Sequence, residues 1–252
     1  MNSLIVFPDE QRDDSLIVIE GKRAGELCAR YQALRGQEIR IAILGGMKGT
    51  AKVTEVTSNR IRCEIIALRE STPLKPIDLI VGLSRPQTMK KVVQAAVMIG
   101  ARSIHCVRTQ RGERSYGTAT LFEPQQLQEE IIKALEQVGE GLAPQVTVHR
   151  TFSFFIRNHL DRIANVEAVK LIAHPEGNRL TPEFSVGEAR SVVVAVGPEA
   201  GWAEEELAVF ERAGFQRVGL GSRVLRVEIA LVFLLGQICL LRADSEKSQS
   251  ER

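Results

Sequence analysis

Two short stretches carry the residue types that could do chemistry. "VGPEAGWAEEEL" (196–207) ends a run of valines, and "LGSRVLRVEIA" (220–230) ends the next apolar run. A third loop, "AHPEG" (173–177), follows "VKLI". Glycine at a strand end leaves the backbone bare, so N–H and C=O groups can meet a ligand with no Cβ between them. Gly197, Gly201, Gly219 and Gly221 offer this in the two later loops. Arg226 and Glu228 flank Val227 at the start of an apolar helical pattern. A helix start points backbone donors and nearby side chains at one small volume.

Phosphate is the usual partner of such loops, but it fits these poorly. The chain has neither GxGxxG nor GxxxxGK[ST]. Glu199 and the run Glu204-Glu205-Glu206 would repel an anion. The acidic run has a second reading as well, since carboxylates at a helix N-terminus offset the macrodipole. A nucleoside with a cationic centre suits the place better, and S-adenosylmethionine is such a ligand. The candidate cofactor-binding residues are Ala173, His174, Gly197, Pro198, Glu199, Gly201, Leu220, Gly221, Ser222, Leu225 and Arg226. His105, His149 and His159 are scattered along the chain and read as core or surface residues. Cys28, Cys63, Cys106 and Cys239 form no CxxC pair, so no metal site is expected.

The elements that must position these loops fall into two parts. The first ~70 residues read as short strands joined by glycine turns, which suggests a small barrel. In "QEIRIAIL", Ile39, Ile41 and Ile43 share one face; "AGELCARYQAL" (24–34) is the one helical candidate. "RESTPLKPID" (69–78), with two prolines, reads as a linker. Beyond it strands and helices alternate, which predicts a parallel sheet covered on both faces. "QTMKKVVQAAVMIG" is a helix closed by Gly100, and "SFFIRNHLDRIA" one opened by Ser153. Ligands of open α/β sheets bind beyond the carboxyl ends of the strands, where the three loops lie. The expected boundaries are 1–72, 73–244 and a polar tail at 245–252. Net charge is +2 with 25% charged residues, too balanced to argue for nucleic acid by itself. The N-terminus is too short in apolar residues for a signal peptide, and the longest apolar run, at 229–241, is too short for a membrane span. A soluble, cytoplasmic protein is expected.

The paired motif "VVVAVGPEAGWAEEEL…VGLGSRVLRVEIA" closely resembles the RsmE family of bacterial SPOUT methyltransferases, whose signature is GPEGG-[FWL]-x-x-x-E followed by LG-x-[RK]-[IV]-LR-x-ETA. Gly197, Pro198, Glu199, Gly201, Trp202, Glu206, Leu220, Gly221, Leu225, Arg226, Glu228 and Ala230 match it. "SRPQTMKKVVQAAVMIGA" (84–101) and "ALEQVGEGLAPQV" (134–146) resemble two further family segments. The resemblance implies methylation of N3 of a uridine in 16S ribosomal RNA, free or in the assembled small subunit, with S-adenosylmethionine as donor. It also implies a parallel sheet with a C-terminal deep trefoil knot, a PUA-like RNA-binding β-barrel before it, and a homodimer with neither membrane nor metal. Four departures stand out: Ala200 for glycine, Ile229 for threonine, Met98-Ile99 for Glu-Leu, and Gly139-Glu140 near an expected arginine.

For this reaction Arg226 and Glu228 are the catalytic candidates. Arg226 could hold a phosphate or meet negative charge on the uracil oxygens, and Glu228 could position the base or accept its proton. A structural ion pair at a helix start is the competing account of both. Lys22 and Arg23 in the barrel, and Arg111, Arg114 and Tyr116 in "RTQRGERSYG", are the RNA-binding candidates. The alternatives are a catalytically altered RNA-binding paralogue, a different RNA target, or an ordinary nucleotide-binding α/β enzyme.

Overall fold

The computed structural model describes residues 2–32, 34–187 and 189–250, with side chains of the last helix described to residue 243. The chain divides into two compact units, Met1–Leu74 with Ile131–Ala143, and Lys75–Glu130 with Pro144–Arg252.

The first unit holds β1 (Leu4–Val6), β2 (Gln11–Asp13), β3 (Leu16–Glu20), α1 (Gly21–Gln32), β4 (Glu38–Ile43), β5 (Met47–Val56) and β6 (Arg60–Glu70). The strands form one sheet in the order β1-β4-β5-β6-β3-β2. All pairs are antiparallel except β1 with β4. The apolar run near the N-terminus, too short for a signal peptide, is the edge strand β1. Ile39, Ile41 and Ile43 point into the core as their alternation demands, and Ala42 is buried on the other face as well. Tyr31 and Ala24 of α1 join that core.

The segment Ile131–Ala143 completes this unit. The Ser3 amide donates to the Glu136 carbonyl (2.9 Å), and the Glu136 carboxylate pairs with Arg30 at 3.2 Å. Glu140 binds Lys48 and accepts from both the amide and the hydroxyl of Thr72, each at 2.9 Å. Burial pushes its carboxyl up, but Lys48 and the two Thr72 bonds outweigh that and hold it below the ordinary carboxylate range. Glu140, a departure from the family pattern, is thus a latch inside this unit. Ser71 accepts from the Gly141 amide at 2.9 Å. The compact unit ends at Leu74, two residues beyond the expected boundary, and takes in this later segment as well.

The second unit starts with β7 (Lys75–Gly82), α2 (Pro86–Ile99) and β8 (Ala101–Val107). Next come α3 (Pro124–Val138), which runs on into the first unit's segment, and β9 (Gln145–His149). The remaining elements are α4 (Phe152–Phe155), a π-turn at Ile156–Leu160, α5 (Asp161–Ile163), β10 (Ala168–Arg179), β11 (Ser191–Val196), α6 (Glu204–Arg212), β12 (Gln216–Gly219) and α7 (Val227–Ser250). Its sheet is wholly parallel, in the order β12-β10-β11-β7-β8-β9. All six residues of β11 are buried. Val192, Val194 and Val196 pack with α2 and α7, while Val193 and Ala195 pack with Phe155, Trp202 and Phe210. A strand covered on both faces cannot alternate, hence the unbroken apolar run. Each buried valine contributes about 1.5–3 kcal/mol of transfer free energy.

Several sequence expectations shift. Gly100 closes α2 in the left-handed region (φ 81°), as expected. Helix α4 is capped by Thr151, whose hydroxyl accepts from the Phe154 amide at 3.1 Å, and not by Ser153. The linker shrinks to Ser71–Leu74, because Ile77 and Asp78 are buried inside β7. The polar tail continues α7 to Ser250, since its sequence holds neither glycine nor proline to stop a helix; residues 251–252 lie outside the described residues.

Replacing Glu140 with alanine should destabilise the first unit by about 1–3 kcal/mol, the range for bonds to a charged group. Urea unfolding followed by amide exchange in β5 reports it. With its folded value depressed, Glu140 contributes this stability above its unfolded value and loses it as pH falls through the folded one. Wild type and variant should therefore converge in acid.

Candidate active site

The chain leaves β7, β8 and β9 on one side of the sheet, and β11 is inserted between β10 and β7. Ligand crevices form at such a reversal, beyond the carboxyl ends of the strands. A cleft of about 1300 Å³ lies there. The strand ends that carry its lining loops are packed with backbone against backbone. A Cβ on Gly82, the last residue of β7, would overlap Pro198, and one on Gly177 would overlap Val218 and Gly219. The loop "AHPEG" is not the end of β10, as the sequence suggests, but a bulge within it. Ala173 and Asn178 both pair with Val218, so residues 174–177 are thrown out of the ladder towards the cleft. Gly201 (φ 72°) and Gly221 (φ 109°) adopt left-handed backbone, and a Cβ on either would project into open space.

Three motif carboxylates hold this frame at helix starts. Glu199 accepts from the Arg85 amide (3.1 Å) and the Thr88 hydroxyl (3.3 Å), capping α2 from a distant loop. Glu206 is buried; it accepts from the Ala203 amide (3.0 Å) at the start of α6 and from the Gln110 amide (2.8 Å). It therefore anchors the arginine-rich loop after β8. Glu228, buried in the first turn of α7, pairs with Lys91 at 3.2 Å. Its own backbone N–H holds the carboxyl below the ordinary range, against burial, with help from Lys91 and Arg226. Glu204 and Glu205 are exposed in the first turn of α6, where the macrodipole favours them.

All eleven candidate cofactor residues and Glu228 line the cleft. Arg226 is exposed on its wall, one residue ahead of α7. Arg111 and Tyr116 line it too, and Arg111 reaches the Ala200 carbonyl at 3.4 Å. Arg114 is exposed but outside the lining. Lys22 and Arg23 belong to the first unit. Lys22 is exposed, whereas Arg23 is committed to Glu10 and the Ile5 carbonyl, with its guanidinium 4.2 Å from the Phe7 ring centre. The sequence reading missed Arg85, Lys91 and Arg223, which line the same wall. Their signal was the basic segment 85–91 and the arginine three residues before Arg226.

Residues 70–239 match the RNA methyltransferase domain family. A ribosomal RNA small subunit methyltransferase E from Treponema pallidum is 32% identical over 233 residues, covering 90% of this chain and 87% of the relative. The chain belongs to this family. The enzyme of the same name from Aquifex aeolicus is 24% identical over 91% of this chain and 96% of its own. The crystal structure of the Neisseria gonorrhoeae enzyme, bound to S-adenosyl methionine, superposes with a TM-score of 0.73 at 25% identity, covering 95% of this chain and 98% of that one.

In this member of the family, Trp202 packs edge-on against Phe210 at 4.9 Å, fixing the turn after Gly201. The departures Met98 and Ile229 are both exposed, on α2 and α7. The scattered histidines also converge: His105 and His149 are buried, His159 is half-buried, and their ring nitrogens lie within 4.8 Å of one another. Burial lowers His105, and burial with the neighbouring histidines brings His149 down to about 4.

Removing the Glu206 carboxylate should release the loop after β8. Losing buried bonds of this kind costs about 1–3 kcal/mol, a roughly 5- to 100-fold change in local opening. Glu206→Ala should speed tryptic cleavage after Arg108 and Arg111 by that factor, and lower global stability by the same amount, about 1–3 kcal/mol. An unchanged cleavage rate would show that the loop is held by other contacts.

Proposed function

We propose that this chain transfers a methyl group from S-adenosylmethionine to N3 of a uridine in small-subunit (16S) ribosomal RNA. The observation that carries the reading is one cleft at the strand carboxyl ends, walled by the signature residues, with exposed Arg226 beside buried Glu228. The family's name and the cofactor bound to the Neisseria enzyme agree with it.

The residues present fit the cofactor. Bare left-handed backbone at Gly201 and Gly221 admits a nucleoside, Ala173, Leu220 and Leu225 supply apolar wall, and Glu199, Glu204 and Glu228 tolerate a cation. When bound, the cofactor supplies a methyl group on a positively charged sulfonium. The chain's part is to align the two reactants and exclude water. N3 lies on the Watson–Crick edge, so the target uridine must be unpaired or flipped out. As N3 gives up its proton, negative charge spreads to the uracil oxygens, and Arg226 meets it. Glu228, held ionised by the helix start and Lys91, is a poor proton acceptor; it orients Arg226 and the base, and the proton leaves to solvent.

The first unit, read as the PUA-like domain, binds RNA with Lys22 among its contacts, and the knot expected of the family encloses the cofactor loops. The protein acts in the cytoplasm. It works as a homodimer through α7, where Ile229, Val232, Phe233 and Leu240 expose an apolar stripe. A surface of that kind on one helix calls for a partner, and a second copy is the partner the family resemblance supplies. Among the described residues, no helix is long and apolar enough to cross a membrane.

Methylation of small subunits from a strain lacking the modification, followed by mass mapping, should yield 3-methyluridine. Arg226→Ala should slow single-turnover transfer about 100-fold or more, while cofactor affinity by calorimetry changes little. Cofactor binding without transfer to any RNA by the wild type would instead mark an RNA-binding paralogue. Phe233→Asp should convert a dimer into a monomer in light scattering at micromolar concentration; a wild-type monomer would end the dimer reading.

A further inference from the structure

We propose that His105, His149 and His159 form a binding site for one divalent transition-metal ion of the zinc class, separate from the methyl-transfer cleft. None of the three lines that cleft. His105 lies on β8 and His149 on its neighbour β9; Val107 is the direct partner of His149 in the ladder, so the two rings project from the same face, two residues out of step. His105 Nδ1 lies 2.9 Å from His149 Nε2, and the His149 and His159 ring centres are 4.5 Å apart, edge to face.

His159 reaches this pair because the helix after Thr151 widens into a π-turn at Ile156–Leu160. Such turns are rare and are found disproportionately at functional sites. Phe155, tilted with its ring centre 5.0 Å from that of His149 and 5.6 Å from that of His105, walls the cluster from water. The buried Asp78 carboxylate acts on His105 electrostatically, but it is itself paired with Arg102 and accepts from the Ser103 hydroxyl, so the site rests on the three imidazoles alone.

The geometry suits a tetrahedral ion. Ligand nitrogens about 2.0–2.1 Å from zinc stand roughly 3.3 Å from one another. The nitrogens here, all within 4.8 Å and the nearest pair at 2.9 Å, need only small ring rotations to reach that spacing. Neutral imidazole is the ligating form, and burial disfavours the charged form of both His105 and His149. Borderline ions favour imidazole, whereas magnesium and calcium demand oxygen. Three protein ligands leave a fourth position for water on the half-buried His159 side. The ion would clip β9, the edge strand, and the α4–α5 segment to β8.

The test uses untagged full-length protein, freed of metal by a chelator and titrated with Co2+ and then Zn2+. One equivalent of Co2+ should give the intense visible d–d bands of a four- or five-coordinate ion, Zn2+ should displace them, and Zn2+ should raise the thermal midpoint. His159→Asn, at the half-buried ligand, should weaken binding at least about tenfold, and His174→Asn in the cleft should leave it intact. His149→Gln should reproduce the loss; proton NMR of its remaining histidine rings reports whether it is folded. Absence of stoichiometric Co2+ binding overturns the proposal, as does binding that survives His159→Asn or that depends on His174. In those cases the cluster is a hydrogen-bonded packing device only.

Discussion

The constraint on which the second unit depends is the crowding of backbone at the carboxyl edge of its sheet. Gly82 presses on Pro198, and Gly177 on Val218 and Gly219, with no room for a side chain at any of the three contacts. Strand exits can approach this closely only where Cβ is missing. The result is a set of strand exits held together by peptide groups instead of side chains. Left-handed turns at Gly201 and Gly221 then expose further backbone along the wall. Main chain thus sets the spacing of the loops, while the side chains they carry set the charge of the cleft.

Those side chains do less chemistry and more carpentry than their types suggest. Glu199, Glu206 and Glu228 each lie at the N-terminus of a helix, of α2, α6 and α7 respectively. Helix starts offer unpaired N–H groups and a positive dipole end, so a carboxylate is the natural stopper. With the three acids spent in this way, the cationic residues Arg85, Lys91, Arg111, Arg223 and Arg226 dominate the rim. Glu204 is the exposed acid left among five lining bases, so the balance of charge at the rim suits a polyanion at the mouth of the cleft.

Much of this was legible in the sequence, because local signals carry local structure. The valine run read as a strand covered on both faces, and Gly100 as a helix stop. The glycine loops at 197–201 and 219–223 marked the cleft by chemistry that holds for any chain, and the family motif sharpened the choice of residues. The sequence misled where distant pieces meet. "AHPEG" contains the proline and glycine that normally end a strand, yet β10 resumes after it, because Asn178 finds the same partner as Ala173. Glu199 read as a cleft acid alone, since nothing local announces that it also caps α2 through the Arg85 amide. The three histidines looked unrelated because β8 and β9 become neighbours only through a crossover, and no residue pattern predicts the π-turn that delivers His159. Glu140 stood out only as a departure near an expected arginine, and its partners, Lys48 and Thr72, lie far from it in sequence.

The discontinuity of the first unit sets a timetable for synthesis. Its six strands emerge with the first 70 residues, but Ser3, Arg30, Lys48 and Thr72 wait for Glu136 and Glu140. At ribosomal speeds of about 5–20 residues per second, that delay is roughly 3–14 s. Through it the nascent unit keeps basic groups and backbone donors unpaired. The second sheet waits longer still, because its middle strand β11 is made after β7, β8, β9 and β10. Neither unit can be finished in the order its residues are made: the first waits for its segment ending at Ala143, and the second sheet stays open until the final third of the chain arrives.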